Sequence, residues 1–216
     1  MQLAIYETEH FETAYALIRL FDLPGNTITI FTTHSTSERL HEMLAARSSS
    51  YKWILQGDNE SNRQFIRKMY ASVKLSNPDI FVFGTVSHNY LLHALLMRTS
   101  PVRRFLLTVH EVNTLFRPRF RWGIKKTGNF IGKKSLTRSV KEYISILDTL
   151  LPAINDCVPP DKKIHSLSGA IFENDHTDRV IQQPVKIVVP GTIERSRRDY
   201  RQVVSLLDAA KAIGLQ

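Results

Sequence analysis

The feature that most constrains the fold is a repeated alternation of short apolar runs with longer stretches whose apolar residues recur at helical spacing. The first run is Leu3 to Tyr6, and the stretch after it places Phe11, Tyr15 and Ile18 on one side of a helix. Further apolar runs follow in the order ITIFTT, YKWIL, DIFVFGTV and RFLLTVH, each separated from the next by a helical pattern. Near-continuous apolar runs are typical of parallel strands covered on both faces. The order therefore predicts an α/β fold, a doubly wound and mostly parallel sheet.

After His110 the pattern loosens, and a basic segment precedes the strand YISIL, the helix DTLLPAIN and a late strand within KKIHSLSGAIF. A polar stretch without clear periodicity comes next, and then VKIVVPGTIERSRRDY begins a new strand, turn and helix. We therefore predict a domain over residues 1–174, a linker over 175–184 and the first βα unit of a second domain over 185–216.

Composition excludes several classes of protein. The N-terminus MQLAIYETEH lacks a basic region, and no apolar run approaches the ~20 residues that cross a bilayer. The single cysteine, Cys157, has no partner for an internal disulfide and no zinc-ligand spacing around it. We expect a cytoplasmic protein, peripheral at the inner face of the membrane, with no metal site.

The net charge of +9 is concentrated in one segment, residues 117–141. This segment contains nine basic residues and no Asp or Glu, and the rest of the chain has 20 of each sign. The cations and aromatic residue that we select as a membrane or acceptor patch are Arg117, Arg119, Arg121, Trp122, Lys125, Lys126, Lys133 and Lys134. Cations interleaved with aromatic residues suit an anionic membrane surface. Nucleic acid is a less favoured partner, since cations and aromatic residues also bind phosphates and stacked bases. The alternative without a partner is that this segment is a solvated face.

Polar residues follow the predicted strands, where ligands of open α/β sheets bind. The candidates for an acceptor site at this rim are Glu7, His10, His34, Ser87, His88, Glu111 and Asn113. His110 is favoured above them, because it ends an apolar strand where a buried polar side chain needs a partner. Imidazoles and carboxylates there could transfer protons or hydrogen-bond a sugar or phosphate.

The stretches LLTVHEVN and YISILDTLLPAIN, with KKIHSLSGAI after them, resemble the retaining GT-B glycosyltransferases of family 4. The resemblance implies two Rossmann-like domains across a cleft, with His110 as the catalytic residue near the transferred sugar. It implies a nucleotide-sugar donor as co-substrate and no other cofactor. The first loop of this chain lacks the glycines that many relatives have there.

VVPGTIERSRRDY is similar to the first unit of that family's second domain, where cations hold the donor diphosphate. Gly191 matches the family's glycine, Arg198 stands where its lysine would be, and Thr192 replaces its arginine. The family's paired glutamates would lie beyond Gln216, so we expect the chain alone to transfer sugar poorly.

The resemblance implies the acceptor-side part of a glycosyltransferase, with a glycan or lipid-linked acceptor, in surface polysaccharide or glycolipid synthesis. The alternative is a non-enzymatic α/β module that binds a phosphorylated ligand or nucleic acid through residues 117–141. GNFIGKKS is not a P-loop, since Gly128 and Gly132 enclose three residues where that motif has four.

Overall fold

A computed structural model describes residues 1–118, 120 and 123–167. Within these residues the strands are β1 Gln2–Tyr6, β2 Thr27–Thr32, β3 Lys52–Leu55, β4 Ile80–Phe83, β5 Arg104–Val109, β6 Glu142–Ser145 and β7 Lys163–Ser166. The helices are α1 Phe11–Phe21, α2 His34–Leu44, α3 Asn62–Ser76, α4 Tyr90–Arg98, α5 Val112–Phe116, α6 Ile124–Ser139 and α7 Leu151–Asn155. Two 3₁₀ turns complete the elements, Ala45–Ser50 and Asp148–Leu150.

The seven strands form one sheet in the order β3-β2-β1-β4-β5-β6-β7, and every neighbouring pair is parallel. The chain builds outward from β1 through β2 to β3, and then returns to the other side of β1 with β4. The strand order thus reverses between β1 and β4, which is the switch point of a doubly wound sheet. The predicted α/β fold class is confirmed.

The central strands are rich in apolar residues because both faces of the sheet are covered there. In β4, Phe81 and Phe83 join the core on the face of α3, α4 and α6, whereas Ile80 and Val82 join the core on the face of α1 and α2. Side chains alternate between the two faces of a strand, so a central strand such as β4 has apolar residues at every position.

Glu142 is the first residue of β6 and links the three strands β5, β6 and β7 through side-chain hydrogen bonds. Arg104 of β5 donates from Nε and Nη2 to the two carboxylate oxygens of Glu142, both at 2.8 Å. His165 of β7 donates from Nε2 to the same carboxylate at 3.0 Å. The hydrogen bonds from Arg104 outweigh burial and, with the one from His165, lower the pKa of Glu142 to about 2.

Several hydroxyl residues stand near the start of α2, and by sequence pattern Ser35 or Ser37 could cap the helix. In the structure the helix begins at His34 and Thr33 is its N-cap. The Thr33 hydroxyl oxygen accepts a hydrogen bond from the backbone N–H of Thr36 at 3.3 Å. Ser37 lies inside the helix and is buried there.

Helix α6 lies within the basic segment, where the sequence pattern loosens and no helix was assigned. Its two glycines and sparse apolar residues weaken the periodicity that identifies a helix. Gly132 instead allows α6 to pack closely on α4, since a Cβ there would overlap the backbone N of Leu91 and lie 2.9 Å from the Cβ of Tyr90. GNFIGKKS is therefore a helix-packing sequence, and tertiary contact stabilises α6.

Several predictions fall outside the described residues and stay predictions. They are the domain boundary at 174, the linker 175–184, the second-domain unit 185–216, the diphosphate residues Gly191 and Arg198, and the patch residues Arg119, Arg121 and Trp122.

Candidate functional site

Three neighbouring strands end side by side at the switch point, and each is followed by a residue of the candidate site. Glu7 follows β1, Gly84 follows β4 and His110 follows β5. The register pairs Tyr6 with Phe83, so Glu7 and Gly84 are adjacent across the β1–β4 boundary. Parallel strand order therefore brings together side chains that are far apart in the sequence.

Glu7 is fully buried, and its carboxylate accepts three hydrogen bonds. Its Oε1 accepts from the backbone N–H groups of Glu9 at 2.7 Å and His10 at 3.0 Å, and its Oε2 accepts from the Thr85 hydroxyl at 2.7 Å. Burial raises the pKa of Glu7, although these hydrogen bonds and the nearby His10 oppose the increase. The carboxyl group is thus fixed in one orientation beneath the rim.

Gly84 is required for this arrangement because the Glu7 side chain passes directly over it. A Cβ at Gly84 would overlap Oε2 of Glu7 and lie 2.9 Å from its Cβ. The sequence signal for this contact is a glycine that follows an apolar strand without a gap, which is typical of a close backbone approach. Sequence reasoning did not select Gly84 or Thr85 as site residues.

His110 is held by the same loop. Its Nε2 lies 3.0 Å from the carbonyl oxygen of Gly84 and 3.0 Å from Oγ1 of Thr85. A carbonyl oxygen only accepts, and the Thr85 hydroxyl already donates to Glu7, so these contacts place a proton on Nε2 of His110. When the ring is neutral, Nδ1 therefore carries the lone pair, and it has no hydrogen-bond partner among the described residues.

The environment of His110 favours the neutral ring. Burial, and then repulsion by His10, lower the pKa of His110, while the Gly84 carbonyl and Glu9 oppose the shift. The His10 ring stacks on His110, with centroids 4.6 Å apart and an interplanar angle of 27°. A neutral imidazole with an available Nδ1 can accept a hydrogen bond from a substrate hydroxyl.

Glu9 and Ser87 complete the group, since the Ser87 hydroxyl donates to the Glu9 carboxylate. We call this group the rim cluster, and its members are Glu7, Glu9, His10, Thr85, Ser87 and His110. Of the residues selected from the sequence, the structure brings together Glu7, His10, Ser87 and His110.

The other four rim candidates lie outside the cluster. His34 is exposed in the first turn of α2, and His88 is exposed in the loop after β4. Glu111 is the exposed N-cap of α5 and makes no side-chain capping bond. Asn113 lies within α5 and lines a neighbouring cavity.

Two cavities adjoin the rim on either side of α6. The α5–α6 cavity has a volume of about 540 Å³, and Arg117, Lys126 and Lys133 contribute its cations. Lys133 donates from Nζ to the carbonyl oxygen of Thr114 at 2.8 Å, and burial lowers its pKa. The second cavity, with a volume of about 970 Å³, lies among α3, α4 and α6.

Lys134 and Lys125 are further residues of the predicted patch. Lys134 is exposed, with Nζ 4.8 Å from the ring centroid of Phe130, and the side chain of Lys125 lies outside the described part of the chain.

No helix in the described part of the chain combines the length and hydrophobicity of a membrane span. No group of three or more His, Cys, Asp or Glu residues suited to a metal ion occurs within residues 1–118, 120 and 123–167.

No protein-family model matches the sequence, and no curated protein sequence matches it significantly. Among solved structures, the chain is similar to the GT-B glycosyltransferase UGT73P12 of Glycyrrhiza uralensis, complexed with glycyrrhetinic acid 3-O-monoglucuronide, with a TM-score of 0.53 and 11% identity. The match covers 79% of this chain and 49% of that one, so the chain spans about half the length of this neighbour.

A second neighbour is the UDP-GlcNAc 2-epimerase of Methanocaldococcus jannaschii, with a TM-score of 0.49 and 12% identity over 76% of this chain and 45% of that one. A third is a Serratia marcescens short-chain dehydrogenase/reductase, with a TM-score of 0.45 and 9% identity over 79% of this chain and 97% of that one. At such low identity the match to UGT73P12 establishes the Rossmann-like α/β fold alone.

Proposed function

We propose that the chain is the acceptor-side part of a glycosyltransferase of the hexosyl-transferring, retaining type. It would move a sugar from a nucleotide-sugar to a glycan or lipid-linked acceptor in surface polysaccharide or glycolipid synthesis. The observation that carries the proposal is the His110 imidazole, held with Nδ1 unpartnered among the described residues, at the switch point of the sheet. The fold shared with a GT-B glycosyltransferase supports it.

In this proposal His110 accepts a hydrogen bond at Nδ1 from a hydroxyl of the transferred sugar. The ring must be neutral, because an imidazolium has no lone pair to offer. Thr85 and the Gly84 carbonyl fix Nε2, and the buried Glu7 fixes Thr85. Such an arrangement holds the ring in one orientation before the substrate arrives, which is how positioning lowers a barrier.

The donor would bind through residues outside the described part of the chain. Gly191 and Arg198 are proposed to hold its diphosphate, as cations and N–H groups at a helix start do. The basic segment is proposed to meet the acceptor or an anionic membrane surface, which would make a cytoplasmic protein peripheral at the inner face.

The test is His110→Ala in the complete gene product, assayed for transfer from a panel of nucleotide-sugars. Loss of one hydrogen bond of about 1 kcal/mol predicts a roughly fivefold fall in kcat/KM, and more if the ring also orients other groups. His41→Ala is the matched control, because His41 is an exposed histidine of α2 that contacts Trp53 and Ser37.

Thr85→Val separates positioning from direct contact, since it removes the hydroxyl that joins Glu7 to His110 and keeps the side-chain shape. We expect a smaller fall in turnover and an altered pH–rate profile. Unchanged turnover in a folded His110→Ala protein would refute the assignment.

The second candidate is a non-enzymatic module that binds a phosphorylated ligand or nucleic acid. The observation that favours it is the α5–α6 cavity, where Arg117, Lys126 and Lys133 meet. Nucleic-acid binding would weaken steeply with salt, because phosphate contacts release counterions. Salt-dependent binding of a single-stranded oligonucleotide, lost in Arg117→Gln with Lys126→Gln, would favour this function.

A further inference from the structure

The cavity among α3, α4 and α6 has an apolar floor. Its volume of about 970 Å³ is at the upper end of cavities that bind small molecules. Leu91, Leu92 and Leu95 of α4 form the floor, and two of them are exposed, Leu91 at 38% and Leu95 at 53%. Residues four apart lie on one side of a helix, so Leu91 and Leu95 form an apolar stripe open to the cavity.

The entrance of this cavity is cationic. Arg63 and Arg67 of α3 line it, again four residues apart, and His88 adds an imidazole. None of the described residues that line it is acidic, and neither arginine forms an ion pair with a described residue. Among the described residues, Arg63 donates from Nε to the side-chain oxygen of Asn89, at 3.3 Å. Two like charges at this spacing repel each other unless an anion lies between them.

The loop after β4 connects the cavity to the rim cluster. Gly84 and Thr85 contact His110, Ser87 contacts Glu9, and the next residues, His88 and Asn89, line the cavity. The His88 side of the cavity is therefore one short loop away from the His110 imidazole.

We propose that this cavity binds an anionic amphiphile, a phosphate ester of a long apolar alcohol. The phosphate would accept hydrogen bonds from Arg63 and Arg67, since guanidinium groups bind phosphate with matched geometry. The apolar chain would cover Leu91 and Leu95. A nucleotide fits less well, because the Tyr90 ring at the cavity is only 5% exposed and offers little surface for base stacking, whereas the exposed leucines match an apolar chain. The further step that this amphiphile is the sugar acceptor rests on the proposed function.

The test is binding of farnesyl phosphate to the chain, compared with farnesol and with inorganic phosphate, by calorimetry and without any nucleotide-sugar. Farnesyl phosphate is expected to bind at least about tenfold more tightly than farnesol or inorganic phosphate, since each of these has only one of its two binding groups. Arg63→Gln with Arg67→Gln should weaken farnesyl phosphate about tenfold or more and leave farnesol unchanged. Leu95→Gln should weaken both farnesyl phosphate and farnesol.

The matched control is Lys52→Gln with Lys74→Gln, which removes two exposed cations that do not line the cavity. This pair should bind farnesyl phosphate as the unaltered chain does. Equal weakening in the control, or equal affinity for inorganic phosphate and farnesyl phosphate, would overturn the proposal. So would a dimer in sedimentation that Leu95→Gln dissociates, because a second copy would then cover the leucines. The binding assay contains no sugar donor, so a failure to bind farnesyl phosphate contradicts only the cavity proposal. Unchanged turnover in His110→Ala contradicts only the proposed glycosyltransferase function.

Discussion

Replacement of Gly132 by alanine tests whether close packing of α4 and α6 holds the basic helix in place. The new Cβ would overlap the backbone N of Leu91 and lie 2.9 Å from both the carbonyl carbon and the Cβ of Tyr90. Favourable carbon contacts lie at about 3.5–4.0 Å, so the helices must separate by several tenths of an ångström or more. The atoms in the way belong mainly to backbone, which cannot rotate aside.

The size of the effect follows from two opposing contributions. Overpacking against a rigid neighbour costs up to about 3 kcal/mol. Alanine in a helix interior is better than glycine by about 1 kcal/mol. The expected net loss for Gly132→Ala is therefore about 2 kcal/mol in the free energy of unfolding.

Gly128→Ala is the matched control, four residues earlier in the same helix, where a Cβ would meet no atom within 4 Å. It should gain about 1 kcal/mol from helix propensity, so the two variants should differ by about 3 kcal/mol. Urea unfolding followed by circular dichroism measures both values, with equal slopes as the check on two-state behaviour. Similar stability of the two variants would show that α4 and α6 do not pack through Gly132.

The other predictions concern buried charge and polarity. The folded-state pKa of Glu142 is about 2, below its ordinary 4.5, so the stability of the wild type should fall as the pH drops from about 4.5 towards 2. Glu142→Gln should lack this loss in thermal melts from pH 6 to pH 2. An equal fall in melting temperature with pH in the two proteins would contradict the Arg104 interaction. His93 is fully buried, neither ring nitrogen has a hydrogen-bond partner among the described residues, and burial lowers its pKa to about 3. His93→Leu should raise the free energy of unfolding by about 1–2 kcal/mol at pH 7. The gain should be larger below pH 6.5, where only the unfolded wild type takes up the proton. A less stable variant would mean that buried water hydrogen-bonds the imidazole.

The strand predictions succeeded where burial is strongest. The run IFVF of β4 is apolar at every position because two helical layers cover it, so composition alone predicts a parallel strand. Thr33 was missed as the cap of α2 because any of several neighbouring hydroxyls fits the capping pattern, and only the backbone path selects one.

The site was predictable in position and less so in membership. Polar residues after apolar strands indicated the rim, and His110 was selected because it ends such a strand. Thr85 and Gly84 were not selected, since their importance arises from contacts with Glu7 and His110 across β1, β4 and β5. No local pattern encodes which strands are neighbours.

The sequence by itself determined the alternation of strands and helices, since periodicity reports how each segment is buried. It also located the positive charge in residues 117–141. Only the tertiary structure decided that α6 forms there against Gly132, and that Glu7, Thr85 and His110 share one hydrogen-bonded group. The physical reason is that both depend on long-range contacts, whose geometry is set by strand order and helix packing and not by neighbouring residues.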